Sequence, residues 1–458
     1  MTFDNPGESL LLLNAINLQI MSSSHKNPYS DEVISQLNPS ERVRLAVKLY
    51  KEHEIEIGEA IKMSGLQAEI FSSVLRGQGI EIRQMNILVC GGAGFIGSNF
   101  VRHMVKTYPN YKIVNLDKLT YAGNIENLAD ISHYTNYKFY RGDIVDQQLV
   151  EMIIQEEEID AIVNFAAETH VDRSIHIGSR EFVMTNTVGV QTLLDATRRH
   201  NLFKMVNIST DEVYGSLELD EARQFTESTA IEPNVPYAAA KAGGDLLCRA
   251  YYNTFGTPVV VSHCSNNYGP YQFPEKLIPF FITKAMNNEP LPLYGDGKNV
   301  RDWLFVLDHV KAIDLMLHKG IPGEVYNIGG NNEKNNLEIA ALILGYFNLP
   351  QDMITFVKDR PGHDRRYAID ATKIREELGW FPEHKFEEAL PKTIQWYLDN
   401  HSWVENIRAR NKDINEHIKA PSVKVTEKIE ITEEIEVSES DSDEIKIIDQ
   451  IGNRIKLS

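Results

Sequence analysis

Two periods of apolar and polar residues alternate along most of the chain. Short apolar or β-branched runs at Asn86–Cys90, Lys112–Leu116, Lys138–Tyr140, Ala161–Phe165, Met205–Ile208 and Val259–Ser262 predict strands. Helix-period stretches separate them, which predicts βαβ units and a parallel sheet, an α/β protein. After about residue 265 the alternation becomes irregular, as a smaller capping domain rich in loops would give. Upstream, residues 40–83 carry a helical stripe, with Ser40 as N-cap and Val43, Leu45, Ala46, Val47, Leu49 and Tyr50 as its apolar face. Further helices are expected at Ile57–Ser64 and Gln67–Arg76, with a turn at Gly65 and a stop at Gly77. Residues 1–39 are polar and weakly patterned, so loose or no order is expected there.

The N-terminal helix, glycine turn and second helix resemble the small antitoxin-like family with a helix-turn-helix core. Acidic and basic side chains balance in this segment, so no basic nucleic-acid face is expected, and a small helical accessory module is the favoured reading. Residues 411–458 form an acidic tail: Val423–Gln450 holds ten acids against three lysines. Its Val and Ile residues alternate with charge, so an edge ribbon competes there with disorder. The 458-residue chain has a formal net charge of −19, which argues against nucleic acid or an anionic membrane as partner of the whole. Cys90, Cys248 and Cys264 are too few and scattered for a disulfide framework or a metal site, and a reducing, cytoplasmic setting follows. Ser9–Ile20 is apolar but short, and Asp4 and Glu8 precede it where a signal peptide carries positive charge. No run is long enough to span a membrane. Met21 and Met85 stand as alternative starts.

Candidate chemistry begins where the first strand runs into Gly91-Gly92-Ala93-Gly94-Phe95-Ile96-Gly97. Glycines at this spacing let a backbone turn approach a pyrophosphate, and the following helix offers N–H groups and its positive end. Asp117 closes the second strand, where a carboxylate accepts ribose hydroxyls and repels a 2′-phosphate, so NAD is expected rather than NADP. Farther along, Tyr237-Ala238-Ala239-Ala240-Lys241 places a phenol and an ammonium on one helix face. A free tyrosine, with a pKa of ~10, is a poor base at neutral pH. A nearby ammonium and a nicotinamide positive charge would favour its phenolate. A lone glycine motif or a lone Tyr-x-x-x-Lys is common by chance; together they are specific.

These residues resemble the extended short-chain dehydrogenase/reductase family over about 320 residues of the chain. The resemblance implies a doubly wound Rossmann domain at 85–410 with an interleaved C-terminal substrate domain, mostly 265–400. It implies cofactor contacts from Gly91, Gly94, Phe95, Ile96, Gly97, Asp117, Lys118, Leu119, Thr120, Asp143, Ile144, Ala166, Ala167, Thr185, Tyr237 and Lys241, and a homodimer formed through a helix pair. Cys90 departs from the family's usual Thr at a strand end.

Ser209-Thr210-Asp211-Glu212-Val213-Tyr214-Gly215 follows the strand Met205–Ile208, at a carboxyl end where α/β sites form. Thr210 can bind the reacting hydroxyl. Two adjacent carboxyls in unlike surroundings can divide an acid and a base between them, as loss of water from a sugar C5–C6 bond requires. An acidic loop cap is the plain alternative. With its neighbours the segment resembles the dTDP-glucose 4,6-dehydratase family. That resemblance implies Asp211 as acid, Glu212 as base, and oxidation at C4, elimination across C5–C6 and hydride return to C6. It also implies substrate contacts from His170, Thr210, Asn266, Asn267, Lys276, Leu277, Pro292, Tyr294, Arg301, Asn336, Arg360 and His363. His309 is read as structural. Two competing functions remain open: a UDP-hexose dehydratase or epimerase, since thymine and uracil differ by one methyl, and an NAD-binding regulatory protein acting through the N-terminal module.

Overall fold

The computed structural model describes residues 34–51, 55, 57–66, 68–80, 84–176, 178–359, 362–410, 447–448 and 454–455. Three short helices come first: α1 (Pro39–Lys51), α2 (Ile57–Ser64) and α3 (Ala68–Gly77). The cap of α1 corrects the expectation of Ser40. Asn38 Oδ1 accepts from the Glu41 N–H at 3.0 Å and Glu41 Oε2 from the Asn38 N–H at 2.8 Å, a reciprocal box two residues earlier. Gly65 makes the α2–α3 turn with φ of 70°. Ala46, Leu49, Tyr50, Phe71 and Leu75 are buried in one apolar cluster with residues of the main sheet such as Ile87 and Val89.

The main sheet has seven parallel strands in the order β10-β6-β5-β4-β1-β2-β3. They are β1 (Asn86–Cys90), β2 (Lys112–Asp117), β3 (Tyr137–Arg141), β4 (Ala161–Asn164), β5 (Lys204–Thr210), β6 (Val259–Cys264) and β10 (Val325–Ile328). The first six are the strands expected from the sequence, with ends that differ by at most two residues. β10 was not among them: its four residues, VYNI, are half polar. Side chains alternate across each strand, and both faces are covered. Ile87 and Val89 pack with α4 (Phe95–Thr107) and α11 (Val306–Lys319). Leu88 and Cys90 pack with α5 (Gln147–Glu156), α8 (Val190–Arg199) and α9 (Pro236–Phe255).

The chain returns to this sheet through α11 and β10 after it has begun a second apolar core. That core gathers α10 (Leu277–Met286), α12 (Asn336–Tyr346), α14 (Phe386–Asp399) and α15 (His401–Arg410) around Phe281, Trp303, Phe386, Tyr397 and Trp403. Two small sheets complete it: β11–β9–β7 and β12–β8, using β7 (Asn266–Tyr268), β8 (Leu291–Tyr294), β9 (Val300–Phe305), β11 (Glu333–Asn335) and β12 (Ile354–Val357). A hydrogen bond from Trp403 Nε1 to Asn127 Oδ1 at 2.9 Å ties this part to the loop after β2.

A separate unit, His417–Ser458, holds one described ladder, Ile447–Ile448 against Arg454–Ile455, antiparallel. The readings of residues 1–33 and of most of the tail lie outside the described residues. Among the described residues no helix is long and apolar enough to cross a membrane.

Candidate active site

The strand order reverses between β1 and β4, and a cleft opens at their carboxyl ends. The β1–α4 turn forms its floor. Gly91 has φ of 76°, and a Cβ there would stand 2.5 Å from the Ala166 backbone nitrogen. A Cβ on Gly97 would meet the Gly91 carbonyl oxygen at 2.2 Å. Those two glycines answer to chain crossings. Gly94 has only the Gly91 carbonyl near it, at 3.3 Å, and lines the cleft. No side chain caps α4, which leaves its first N–H groups open for a ligand. Bare helix-end donors and a glycine floor fit a dinucleotide pyrophosphate.

One half of the cleft is lined by Gly91, Gly94, Asp117, Lys118, Thr120, Asp143, Ile144, Ala166, Ala167 and Thr185. Asp117 Oδ2 accepts the Ala93 N–H at 2.9 Å and Oδ1 the Leu119 N–H at 2.8 Å. Burial still pushes this carboxyl upward. Lys118 is ion-paired with Asp143 at 2.7 Å. Leu119 is not part of the lining; with φ of 57° it turns into the apolar cluster beside the sheet.

The other half is lined by Phe95, Ile96, Gly97, Thr169, Thr210, Asp211, Glu212, Tyr237, Lys241, Asn266, Asn267 and Lys276, among others. Thr210 ends β5, and its hydroxyl accepts the Glu212 N–H at 3.3 Å, capping the short turn Asp211–Tyr214. Asp211 is 1% exposed. Thr210 Oγ1 lies 3.4 Å from its Oδ1, and its Oδ2 has no hydrogen-bond partner. Burial first, then the Glu212 and Asp302 charges, push this carboxyl well above the usual range, which favours its protonated form. The Glu212 charge acts on Asp211, Tyr237 and Tyr367 alike, which places it among them.

Tyr237 differs from the expectation. Burial and Glu212 push its phenol up, and the group that pulls it down is the Thr210 hydroxyl, by a hydrogen bond. Lys241 donates instead to the Ile208 carbonyl at 2.5 Å, and burial lowers its ammonium. His309 is wholly buried, lowered by burial to about 3, and its Nδ1 holds Asn267 Oδ1 at 2.9 Å, the structural part expected of it. Lys276 Nζ reaches the Thr169 carbonyl at 3.0 Å. His170 packs beside Tyr121 with its Nε2 3.3 Å from Glu275 Oε2.

His170 and the remaining predicted substrate residues, Leu277, Pro292, Tyr294, Arg301, Asn336 and His363, are not part of this lining. Arg301 lies behind it, 4.3 Å over the Tyr367 ring and bonded to the Asp364 carbonyl, and its charge lowers Asp211. Tyr294 and His363 meet edge-on, with His363 Nδ1 2.6 Å from Asp359. Arg360 lies outside the described residues. Sequence reasoning missed Tyr121 and Gln272 as lining residues; Phe273 and Glu275 belong to a segment that resembles the family's substrate loop, without a part of their own. Both Glu275 carboxylate oxygens are buried without a hydrogen-bond partner, which only the fold reveals. Its placing beside Lys276 in Phe-Pro-Glu-Lys was the available signal.

Comparison with known proteins agrees with this geometry. Residues 88–393 match the family model described as GDP-mannose 4,6 dehydratase. A dTDP-glucose 4,6-dehydratase of Xanthomonas campestris pv. campestris is 50% identical over 338 residues, covering 70% of this chain and 95% of its own length. The crystal structure of the Bacillus anthracis dTDP-glucose 4,6-dehydratase in complex with NAD is 50% identical, with a TM-score of 0.67 over 70% of this chain and 99% of that one. The Streptomyces venezuelae enzyme DesIV, a dTDP-glucose 4,6-dehydratase solved with NAD bound, is 46% identical with a TM-score of 0.68 over 70% and 100%. The UDP-glucose 4-epimerase of Thermotoga maritima shares the fold at 29% identity. This chain belongs to the dTDP-glucose 4,6-dehydratases, within the extended short-chain dehydrogenase/reductase family.

Proposed function

We propose that the chain is an NAD-dependent hydro-lyase that converts dTDP-glucose to dTDP-4-keto-6-deoxyglucose. The observation that carries the reading is the pair of unlike carboxyls at the end of β5: a buried Asp211, pushed upward by burial, beside a half-buried Glu212. Bound against the glycine floor, NAD supplies a hydride acceptor for C4, a donor for C6 and a positive ring near the phenol. Tyr237, hydrogen-bonded to Thr210, takes the C4 hydroxyl proton as that carbon is oxidised. The new ketone acidifies C5, and Glu212 removes the C5 proton. Asp211 gives its proton to the C6 hydroxyl, which leaves as water, and Glu212 returns its proton to C5 as hydride is restored at C6. Phe95, Ile96 and Phe273 keep the cleft partly apolar, which strengthens charge interactions inside it.

A homodimer is part of the same reading. Leu246, Tyr252 and Phe255 stand exposed on α9, beside α8. The three cysteines are free and buried, in keeping with a reducing, cytoplasmic setting. The 34–80 helices serve as an accessory module.

Incubating the purified chain with dTDP-glucose, without added reductant, should yield the 4-keto-6-deoxy sugar. With Glu212→Gln, reduced cofactor should build up on the enzyme. Product from UDP-glucose alone would move the substrate, and wild-type turnover by Glu212→Gln would sink the base assignment.

A further inference from the structure

Under the two catalytic carboxyls runs a buried polar chain that the scheme above does not use. On α9, Tyr237, Lys241 and Asp245 follow at four-residue spacing, so one helix face turns all three toward the sheet. Asp245 accepts Asn207 Nδ2 at 3.2 Å and Ser209 Oγ at 2.5 Å. His263 Nε2 lies 3.3 Å from its Oδ2. His263 Nδ1 lies 2.6 Å from the Tyr214 hydroxyl, which is 2.8 Å from Asn327 Oδ1. Ser209, His263 and Asn327 are register partners on β5, β6 and β10, so the chain crosses three strands at one level. Tyr214 is the last residue of the turn that begins at Asp211.

The ends of the chain set the direction of each bond. Asn327 Nδ2 donates to the Phe225 carbonyl at 3.0 Å, which leaves Oδ1 as the acceptor. The Tyr214 hydroxyl therefore donates to Asn327, and its oxygen accepts from His263 Nδ1–H. At the other end Asn164 Nδ2 donates to Asn207 Oδ1 at 2.9 Å, so Asn207 donates onward to Asp245. The contact between His263 Nε2 and Asp245 Oδ2 at 3.3 Å closes the chain. No side-chain atom of this chain is left without a partner, whereas Asp211 above it is. A buried network satisfied at every atom holds one geometry.

We propose that His263, with Asp245 and Tyr214, is a positioning device for the elimination step, tethering the turn that bears Asp211 and Glu212 to the sheet. His263 itself does not line the cleft and acts through Tyr214. The device rests on the 4,6-dehydratase reading of the site. Loosening the turn should leave the cofactor floor and the sugar contacts in place and misplace the two carboxyls.

Steady-state turnover of dTDP-glucose by the full chain, with reduced cofactor followed by absorbance, tests it. His263→Phe should lower kcat about tenfold, leave KM within about twofold and let reduced cofactor accumulate. His263→Asn keeps a donor where Nδ1 stood and should recover kcat to within about threefold of wild type. Tyr214→Phe removes only the hydroxyl and should reproduce the His263→Phe pattern without a folding defect. Unchanged kcat in both His263→Phe and Tyr214→Phe overturns the proposal, and so does a His263→Asn loss equal to that of His263→Phe. A wild-type chain that leaves dTDP-glucose untouched fails the functional reading instead.

Discussion

Asp117 and Asp211 sit at the two ends of one cleft, both nearly buried and both pushed upward by burial. Their surroundings differ in one respect. Asp117 is met by two backbone N–H groups, one on each oxygen, both within 2.9 Å. Asp211 has a 3.4 Å hydroxyl contact on one oxygen and nothing on the other. Backbone donors stabilise a carboxylate and hold it in place, as a group that recognises a ribose must be held. A carboxyl left without donors keeps its proton and stays ready to release it, as an acid must. The difference comes from the donors within reach: the glycine turn and its own loop each give Asp117 one N–H, while the Glu212 N–H of the other turn goes to Thr210.

This contrast can be broken in order of effect. Asp211→Asn should lower kcat by about a hundredfold or more, the usual size of a lost general acid. A loss below tenfold in single-substrate turnover would make Asp211 a bystander. Asp117→Ala should weaken cofactor retention by about ten- to a hundredfold, as expected for a lost charged hydrogen bond, measured as NAD carried through gel filtration. Equal retention would remove Asp117 from the cofactor site.

The smallest effect concerns stability. Asp211 has a raised folded pKa, so the folded chain holds a proton that the unfolded chain releases above its ordinary value of ~3.9. Stability from this group is complete at low pH and declines as pH rises through the folded pKa. Asp211→Asn has no proton to lose. Its melting temperature should gain on wild type by about 2 °C as pH rises from about 5 to 8. Asp117→Asn should gain less, because two backbone donors already offset burial there. A flat difference for Asp211→Asn would mean that the carboxyl is solvated and ionised.

Much of this was legible beforehand because it is local. The βαβ rhythm, the glycine turn and the Asp117 strand end are each set within about thirty residues, by backbone sterics and apolar period. The Tyr237–Lys241 spacing was legible too, though its electrostatics were not. Lys241 was expected to act on the phenol; the fold points it at the Ile208 carbonyl and gives the phenol Thr210. Glu275 lies in a segment legible as a substrate loop, but only the fold shows its carboxylate buried.

The sequence by itself determined the parallel α/β architecture and the glycine floor, and it pointed to Asp211 and Glu212 as the candidate carboxyls. Tertiary structure supplied the burial that pushes Asp211 upward while Glu212 stays half exposed. Protonation follows from burial and from donors brought by distant strands, and neither is a property of residue order. The same holds for the His263 chain, whose members on β5, α9, β6 and β10 span more than a hundred residues of sequence and meet only because three strands share one register.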